Sequence, residues 1–173
     1  MKIAIVSLVV IVSASVRPVI AVSVYKTGHL FFIESNNSKD VVRYDVQMAG
    51  NNDLCEPNPV VVYWALQNGR QKGLNLIERK FAYGISSQKK LGKNRFVILM
   101  ATLKDRNIIV RRINGSYKAV FSIGGKYSIL EKVHVNSKNN SIGFPKVLYF
   151  DLFGRDVKTN CSIKERIFPD NGS

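Results

Sequence analysis

Apolar and polar residues alternate along most of this chain. Residues 41–48 set Val42, Tyr44, Val46 and Met48 against Arg43, Asp45 and Gln47. A period of two marks a half-buried strand. The same pattern, or a short apolar run bounded by turn residues, recurs at 30–34, 60–66, 96–103 and 107–113. It recurs again at 116–123, 126–135, 147–153 and 161–168. Pro59 stands at the start of the third of these, where a strand tolerates proline. Asn114-Gly115 and Gly124-Gly125 separate neighbouring runs. Both are two-residue hairpin signals, which favour antiparallel pairing.

One segment keeps a different period. Leu74, Ile77, Phe81 and Ile85 recur at spacings of three and four, with Asn75, Arg79, Lys80 and Ser86 on other faces. This predicts a single amphipathic helix near residues 74–86, with Gly84 at its terminus. About nine strands and one helix give an all-β fold, a single antiparallel domain built as a barrel or a sandwich. The alternation does not separate those two. Within residues 60–66, Trp64 shares a face with the valines at 60 and 62, and Tyr63 takes the other. Trp64 is therefore read as core, and Tyr63, Glu78 and Tyr83 as pocket candidates where the helix meets the sheet.

Before these elements the chain reads as an export signal. Lys2 precedes an apolar run over residues 3–16, and Val19-Ile20-Ala21 suits a cleavage site after Ala21. At ~14 residues the run is short of the ~20 needed to cross a bilayer, and Arg17-Pro18 interrupts it. The expected organisation is a signal peptide over 1–21 and one domain over 22–173. The product is expected to be exported, periplasmic or secreted, with no transmembrane segment left. Cys55 and Cys161 would then face an oxidising compartment, where an even pair closes a disulfide. A bridge over so long a loop is expected to contribute ~4 kcal/mol.

Several residue blocks resemble a known family. Leu30-Phe31-Phe32-Ile33-Glu34, Val42-Arg43-Tyr44-Asp45 and Asn58-Pro59-Val60-Val61-Val62-Tyr63-Trp64 are similar to its opening blocks. Glu78-Arg79-Lys80 and Ala82-Tyr83-Gly84 are similar to its central block. Ile123-Gly124-Gly125-Lys126 resembles its Ile-Asn-Gly turn, with Gly124 where asparagine is usual. The family is a set of uncharacterised, mostly bacterial, exported domains of unknown function, numbered 4833. The resemblance spans nearly the whole chain after the export signal. It implies one exported domain and no particular activity.

Charge changes this picture more than composition does. The 173 residues hold 26 Lys plus Arg and 12 Asp plus Glu, a net charge of +14, with an ordinary 46% hydrophobic content. That balance excludes a disordered, collagen-like or coiled-coil chain. Removing Lys2 and Arg17 with the signal leaves +12. Ten units of that charge fall between residues 70 and 112. The window holds Arg70, Lys72, Arg79, Lys80, Lys89, Lys90, Lys93, Arg95, Lys104, Arg106, Arg111 and Arg112, opposed only by Glu78 and Asp105. A local potential of this kind attracts anions. The first functional reading is a non-enzymatic envelope module that meets anionic lipid headgroups or envelope polysaccharide through this face. Nucleic acid fits less well, since the window lacks a base-stacking motif and export removes most nucleic acid from reach. The alternative is a carrier of a small apolar ligand inside a barrel. An envelope hydrolase is the third.

Catalytic chemistry has little to build on. His29 and His134 are the two histidines, and no zinc spacing surrounds them. No metal, cofactor or catalytic residue is nominated. Asp151 and Glu165 fall on the last two strands and form the one carboxylate pair considered for glycoside hydrolysis. Arg155 and Arg166 stand close enough in sequence to neutralise them. Five Asn-x-Ser sequons, at 36, 114, 139, 160 and 171, read as turn residues.

Overall fold

The computed structural model describes residues 25–139 and 145–169. The export segment at 1–21 lies outside them, as do residues 140 and 141 of the expected 138–141 turn and the sequon at 171. In chain order the elements are β1 (Lys26–Ser35), β2 (Ser38–Met48), β3 (Val60–Ala65), β4 (Gln71–Gly73), α1 (Leu76–Phe81) and β5 (Ile85–Gly92). There follow β6 (Arg95–Met100), β7 (Leu103–Ile113), β8 (Ser116–Ile123), β9 (Lys126–Asn139), β10 (Pro145–Asp156) and β11 (Ser162–Ile167). The all-β expectation holds. The two hairpin signals turn as expected, with positive φ at Asn114, Gly115, Gly124 and Gly125.

All eleven strands join one sheet, in the order β4-β3-β2-β1-β9-β8-β7-β6-β5, with β10 on β9 and β11 on β10. The sheet curls into a half-barrel, an open version of the barrel weighed from sequence. Antiparallel pairing has one exception: β1 runs parallel to β9, matching Phe32 to Lys132 and Ser35 to Val135. Strand β9 carries the junction. Its residues 126–129 pair with β8 and its residues 132–135 with β1, while β10 follows it across both stretches. A strand has two hydrogen-bonding edges, so β8 and β1 follow one another along one of them and β10 takes the other.

The ends of the strand path approach each other. The Gln88 side chain on β5 accepts from Val60 N–H at 3.0 Å and donates to Val60 C=O at 2.9 Å. This side chain stands in for a rung of backbone ladder between β3 and β5. The concave face buries Phe31, Val42, Tyr44, Phe96, Ile98, Ile108, Phe121, Leu130 and Leu152. Phe31 and Tyr44 stack with ring centroids 4.3 Å apart, a contact worth about 1 kcal/mol beyond its burial.

The helix departs from its expected extent. It occupies six residues, not the span 74–86. Asn75 and Glu78 form a reciprocal capping box that fixes its start at Leu76. Its end is fixed by pairing: Ile85 already opposes Met100 in the β5–β6 ladder. Leu74 is buried but precedes the helix, and Ile85 follows it. Ile77 and Phe81 are therefore the helix-face residues left, and they are exposed instead of packed as core.

Candidate functional site

The concave face is not completely filled. A cavity of about 600 Å³ lies at one end of the half-barrel. Ile33 on β1, Val133 and Val135 on β9, and Val147, Phe150 and Leu152 on β10 form one wall. Met100, Thr102 and Leu103, around the β6–β7 turn, form another, and Trp64 on β3 closes the side. Ile77 and Phe81 on α1, with Ala82 and Tyr83 after it, stand over the mouth. Ser35, Asn37, Ser38 and Ser137 give the rim hydroxyl and amide groups. Asn37 is held there by donating to Ser137 Oγ at 2.9 Å and to its carbonyl at 3.2 Å.

Among the described residues that line it there is no Asp, Glu, Lys, Arg or His. The size falls in the ordinary range for small-molecule sites, and so does the mixture of apolar wall and few polar groups. Trp64 and Tyr83 meet edge to face at 5.3 Å, which fixes the indole against the cavity. Tyr83 is thus a pocket residue, as the sequence suggests. Tyr63 and Glu78 do not line this cavity. Tyr63 lines a separate hollow on the convex face with Thr27, Asp45 and Gln47, and Glu78 spends its carboxylate on the Asn75 N–H.

On the convex face a second group gathers around Asp45, which is 5% exposed. His29 Nδ1 lies 2.8 Å from Asp45 Oδ1, and Tyr63 donates to Oδ2 at 2.5 Å. Burial alone would raise the carboxyl, but the contacts from His29, Tyr63 and Arg43 together hold it below its ordinary range. Tyr63 moves the other way. Burial, and then its bond to the Asp45 carboxylate, push the phenol up to about 12. Sequence reasoning misses this cluster because its members lie on three strands and a register shift falls between His29 and Phe31.

A charged row crosses the sheet nearby. Glu34, His134, Asp151 and Arg166 oppose one another in turn across β1, β9, β10 and β11. Glu34 takes Lys132 at 2.9 Å and His134 at 3.1 Å. Arg166 donates to both oxygens of Asp151, at 2.7 and 2.8 Å, and Lys164 adds a contact at 2.9 Å. Glu165 opposes Leu152, so it faces the concave side, where it pairs with Arg106 at 3.0 Å. Asp151 and Glu165 are on opposite faces and do not form a catalytic pair. Among the described residues no three His, Cys, Asp or Glu side chains gather as a metal site.

The cations of the 70–112 window are spread along the strand path. Arg70 and Lys72 belong to the β4 end, Arg79 and Lys80 to α1, and Lys89 and Lys90 to β5 at the other end. Neighbours on a strand face opposite ways, which divides Lys89 from Lys90 and Arg111 from Arg112. Lys90 pairs with Glu56, and Arg112 donates to the Asn52 carbonyl at 2.6 Å. Lys93 lies in the β5–β6 turn. Two of these cations do align, and Lys118 beyond the window joins them: Arg95, Arg111 and Lys118 oppose one another across β6, β7 and β8 on the convex face. None of the three has a carboxylate within ion-pair distance among the described residues. Arg111 lies over the Tyr127 ring at 5.4 Å.

Cys55 and Cys161 are free thiols in the structure, so the expected bridge is not formed there. Cys55 follows β2, where its N–H donates to the Gln47 carbonyl, and Cys161 precedes β11, where its carbonyl accepts from Asp156. Each is tied to a different part of the sheet. Among the described residues no helix is long and apolar enough to cross a membrane.

No curated protein and no solved structure matches this chain. A family model does, over residues 31–166, from the middle of β1 to the end of β11. The match takes in every wall of the cavity and the whole convex charged row, and the chain belongs to the family described as a domain of unknown function, DUF4833.

Proposed function

We propose that the domain holds a small, uncharged, apolar ligand in the half-barrel cavity. The observation that carries this reading is the lining itself: aliphatic and aromatic walls, a rim of neutral hydroxyls and one amide, and, among the described residues, no carboxylate, amine, guanidinium or imidazole. A carboxylate or ammonium placed there would lose its hydration and find no partner, so the site selects against charged ligands. A neutral polar end, such as an ester or hydroxyl, matches the Ser35, Asn37 and Ser137 rim. The role is binding and carriage. With residues 1–21 read as an export signal, the work is done outside the cytoplasm, and amino-terminal sequencing of the native product tests that part.

Trp64 is the single tryptophan of the chain and lines the cavity. Titration with a neutral naphthylamine dye should therefore quench Trp64 emission saturably. Val147→Glu, which puts a carboxylate on the cavity wall, should abolish the response while the circular dichroism stays that of the parent. A dye that leaves Trp64 emission unchanged at saturation refutes the reading.

A second reading rests on the Arg95, Arg111 and Lys118 row. Like charges opposed across strands are unfavourable unless an anion shares them. This row takes Arg95 and Arg111 from the basic window and Lys118 from just beyond it, and is the arrangement best suited to an acidic polysaccharide. Arg95→Ser with Lys118→Ser should elute from an acidic polysaccharide matrix at lower salt than the parent. Equal elution removes this reading.

A further inference from the structure

We infer that α1 docks the mouth of the cavity onto an anionic bilayer surface. Leu76, Ile77 and Phe81 are 81%, 72% and 66% exposed, and no residue of α1 is buried. Three large apolar side chains on six residues form a patch that water does not favour. Arg79 and Lys80 stand in the last turn of the same helix, and Lys80 lies 5.4 Å from the Phe81 ring centroid. Arg70 and Lys72 come just before it in the chain. The one acid of the segment, Glu78, is turned inward to its capping box.

Apolar anchors with neighbouring cations are what an interfacial helix presents to acidic headgroups. The apolar side chains enter the acyl boundary and the cations remain among the phosphates. A second copy of the chain is the poorer occupant of this patch. It would bring four cations of each molecule against their own counterparts in a protein of net charge +14. The docking does not depend on the ligand reading above. Where that reading also holds, Ile77 and Phe81 place the cavity mouth where an apolar ligand leaves the bilayer.

The test uses the full chain and a readout confined to α1. In this way any membrane contact of residues 3–16 does not mask the result. Phe81→Trp in a Trp64→Phe background puts the one indole on the helix. Vesicles of phosphatidylglycerol and phosphatidylcholine with brominated acyl chains should quench it strongly, and brominated phosphatidylcholine alone only weakly. Arg79→Glu with Lys80→Glu should weaken the apparent partition roughly thirtyfold or more, since each cation near an acidic surface contributes appreciably. Reversing Lys126 and Lys158, at the opposite end of the half-barrel, should change it little. Equal quenching by neutral and acidic vesicles, or quenching indifferent to the Arg79 and Lys80 reversal, overturns the inference. So does a dimer in sedimentation that Leu76→Ser with Ile77→Ser dissolves. The dye titration of Trp64, run on the parent chain without vesicles, reports separately on the cavity.

Discussion

The buried hydroxyl of Tyr44 on β2 donates to the backbone carbonyl of Tyr83, just beyond α1. Tyr44 is fully inaccessible, and its ring stacks on Phe31 in the centre of the concave face. One hydrogen bond thus ties the segment over the cavity mouth to the middle of the core. Burial pushes the Tyr44 phenol well above its ordinary value, so it stays a donor at neutral pH. Tyr44→Phe keeps the stacking and orphans the Tyr83 carbonyl. It should cost about 1–2 kcal/mol in chemical denaturation. It should also weaken dye binding at Trp64 by loosening Tyr83, whereas an unchanged dye affinity would separate this bond from the site.

Gly84 makes the turn after α1 tight. A Cβ at this position would sit 1.7 Å from the Arg79 carbonyl oxygen, which is backbone and cannot rotate away. Gly84→Ala should therefore displace the end of α1 and destabilise the fold by about 2 kcal/mol, as overpacked sites do. Gly50→Ala serves as the comparison, because nothing lies within 4 Å of the added methyl. Denaturant midpoints that fall equally for the two would show that the close approach is not what fixes the glycine.

Much of this fold was legible from alternation, because a half-buried strand writes its faces into the sequence. The alternation of Val42, Tyr44, Val46 and Met48 places all four on the concave side, and Trp64 joins Val62 against the core as its parity requires. Strand β5 was hidden because Ile-Ser-Ser-Gln-Lys-Lys-Leu-Gly ends the strand path with few buried positions, and such a strand needs no apolar period. The helix was read too long for a related reason. Leu74 and Ile85 are buried or half-buried by neighbouring strands, and their spacing to Ile77 and Phe81 mimics a continuous helical face. Of the cavity only the helix side was legible, through Tyr83; its walls were not. Val133, Val135, Val147 and Phe150 look like any core positions, and only the parallel pairing of β1 with β9 sets them around a space. Parallel pairing between strands about 100 residues apart leaves no local turn signal.

Tyr63 and Asp45 offer a test on the convex face. Tyr63→Phe leaves Asp45 Oδ2 without its donor, and a bond to a buried charged group is worth about 2 kcal/mol. The phenol also has an alkaline signature. Its folded value near 12 lies above the ordinary ~10 of an unfolded tyrosine. Its contribution to stability is therefore complete below about pH 10 and is lost as the pH rises toward 12. Burial pushes the Tyr44 and Tyr83 phenols up as well, so the late step of Tyr63 is read at the tyrosinate band as the difference between parent and Tyr63→Phe. Asp45→Asn should shift that step to lower pH, since the neighbouring negative charge is gone. A step that stays in place would assign the shift to burial alone.

Asp151 should govern the acid side. Hydrogen bonds from Arg166 and then Lys164 hold its carboxyl far below the usual carboxylate range, against the opposing effect of burial. The unfolded chain binds this proton near pH 4, whereas the folded chain resists it until the medium is much more acidic. The pairing therefore contributes its full stability above about pH 4 and loses it progressively as the pH falls. Asp151→Asn removes the dependence, because the amide keeps the shape and carries no charge. The difference in Tm between parent and variant should be greatest at neutral pH and shrink steadily below pH 4. Arg166 also lies 3.7 Å over the Tyr149 ring, so Arg166→Gln should lower the neutral Tm further than Asp151→Asn by giving up that contact as well. A Tm difference for Asp151→Asn that is flat from neutral pH down to pH 2 would mean that the ion pair adds nothing to the β10–β11 edge.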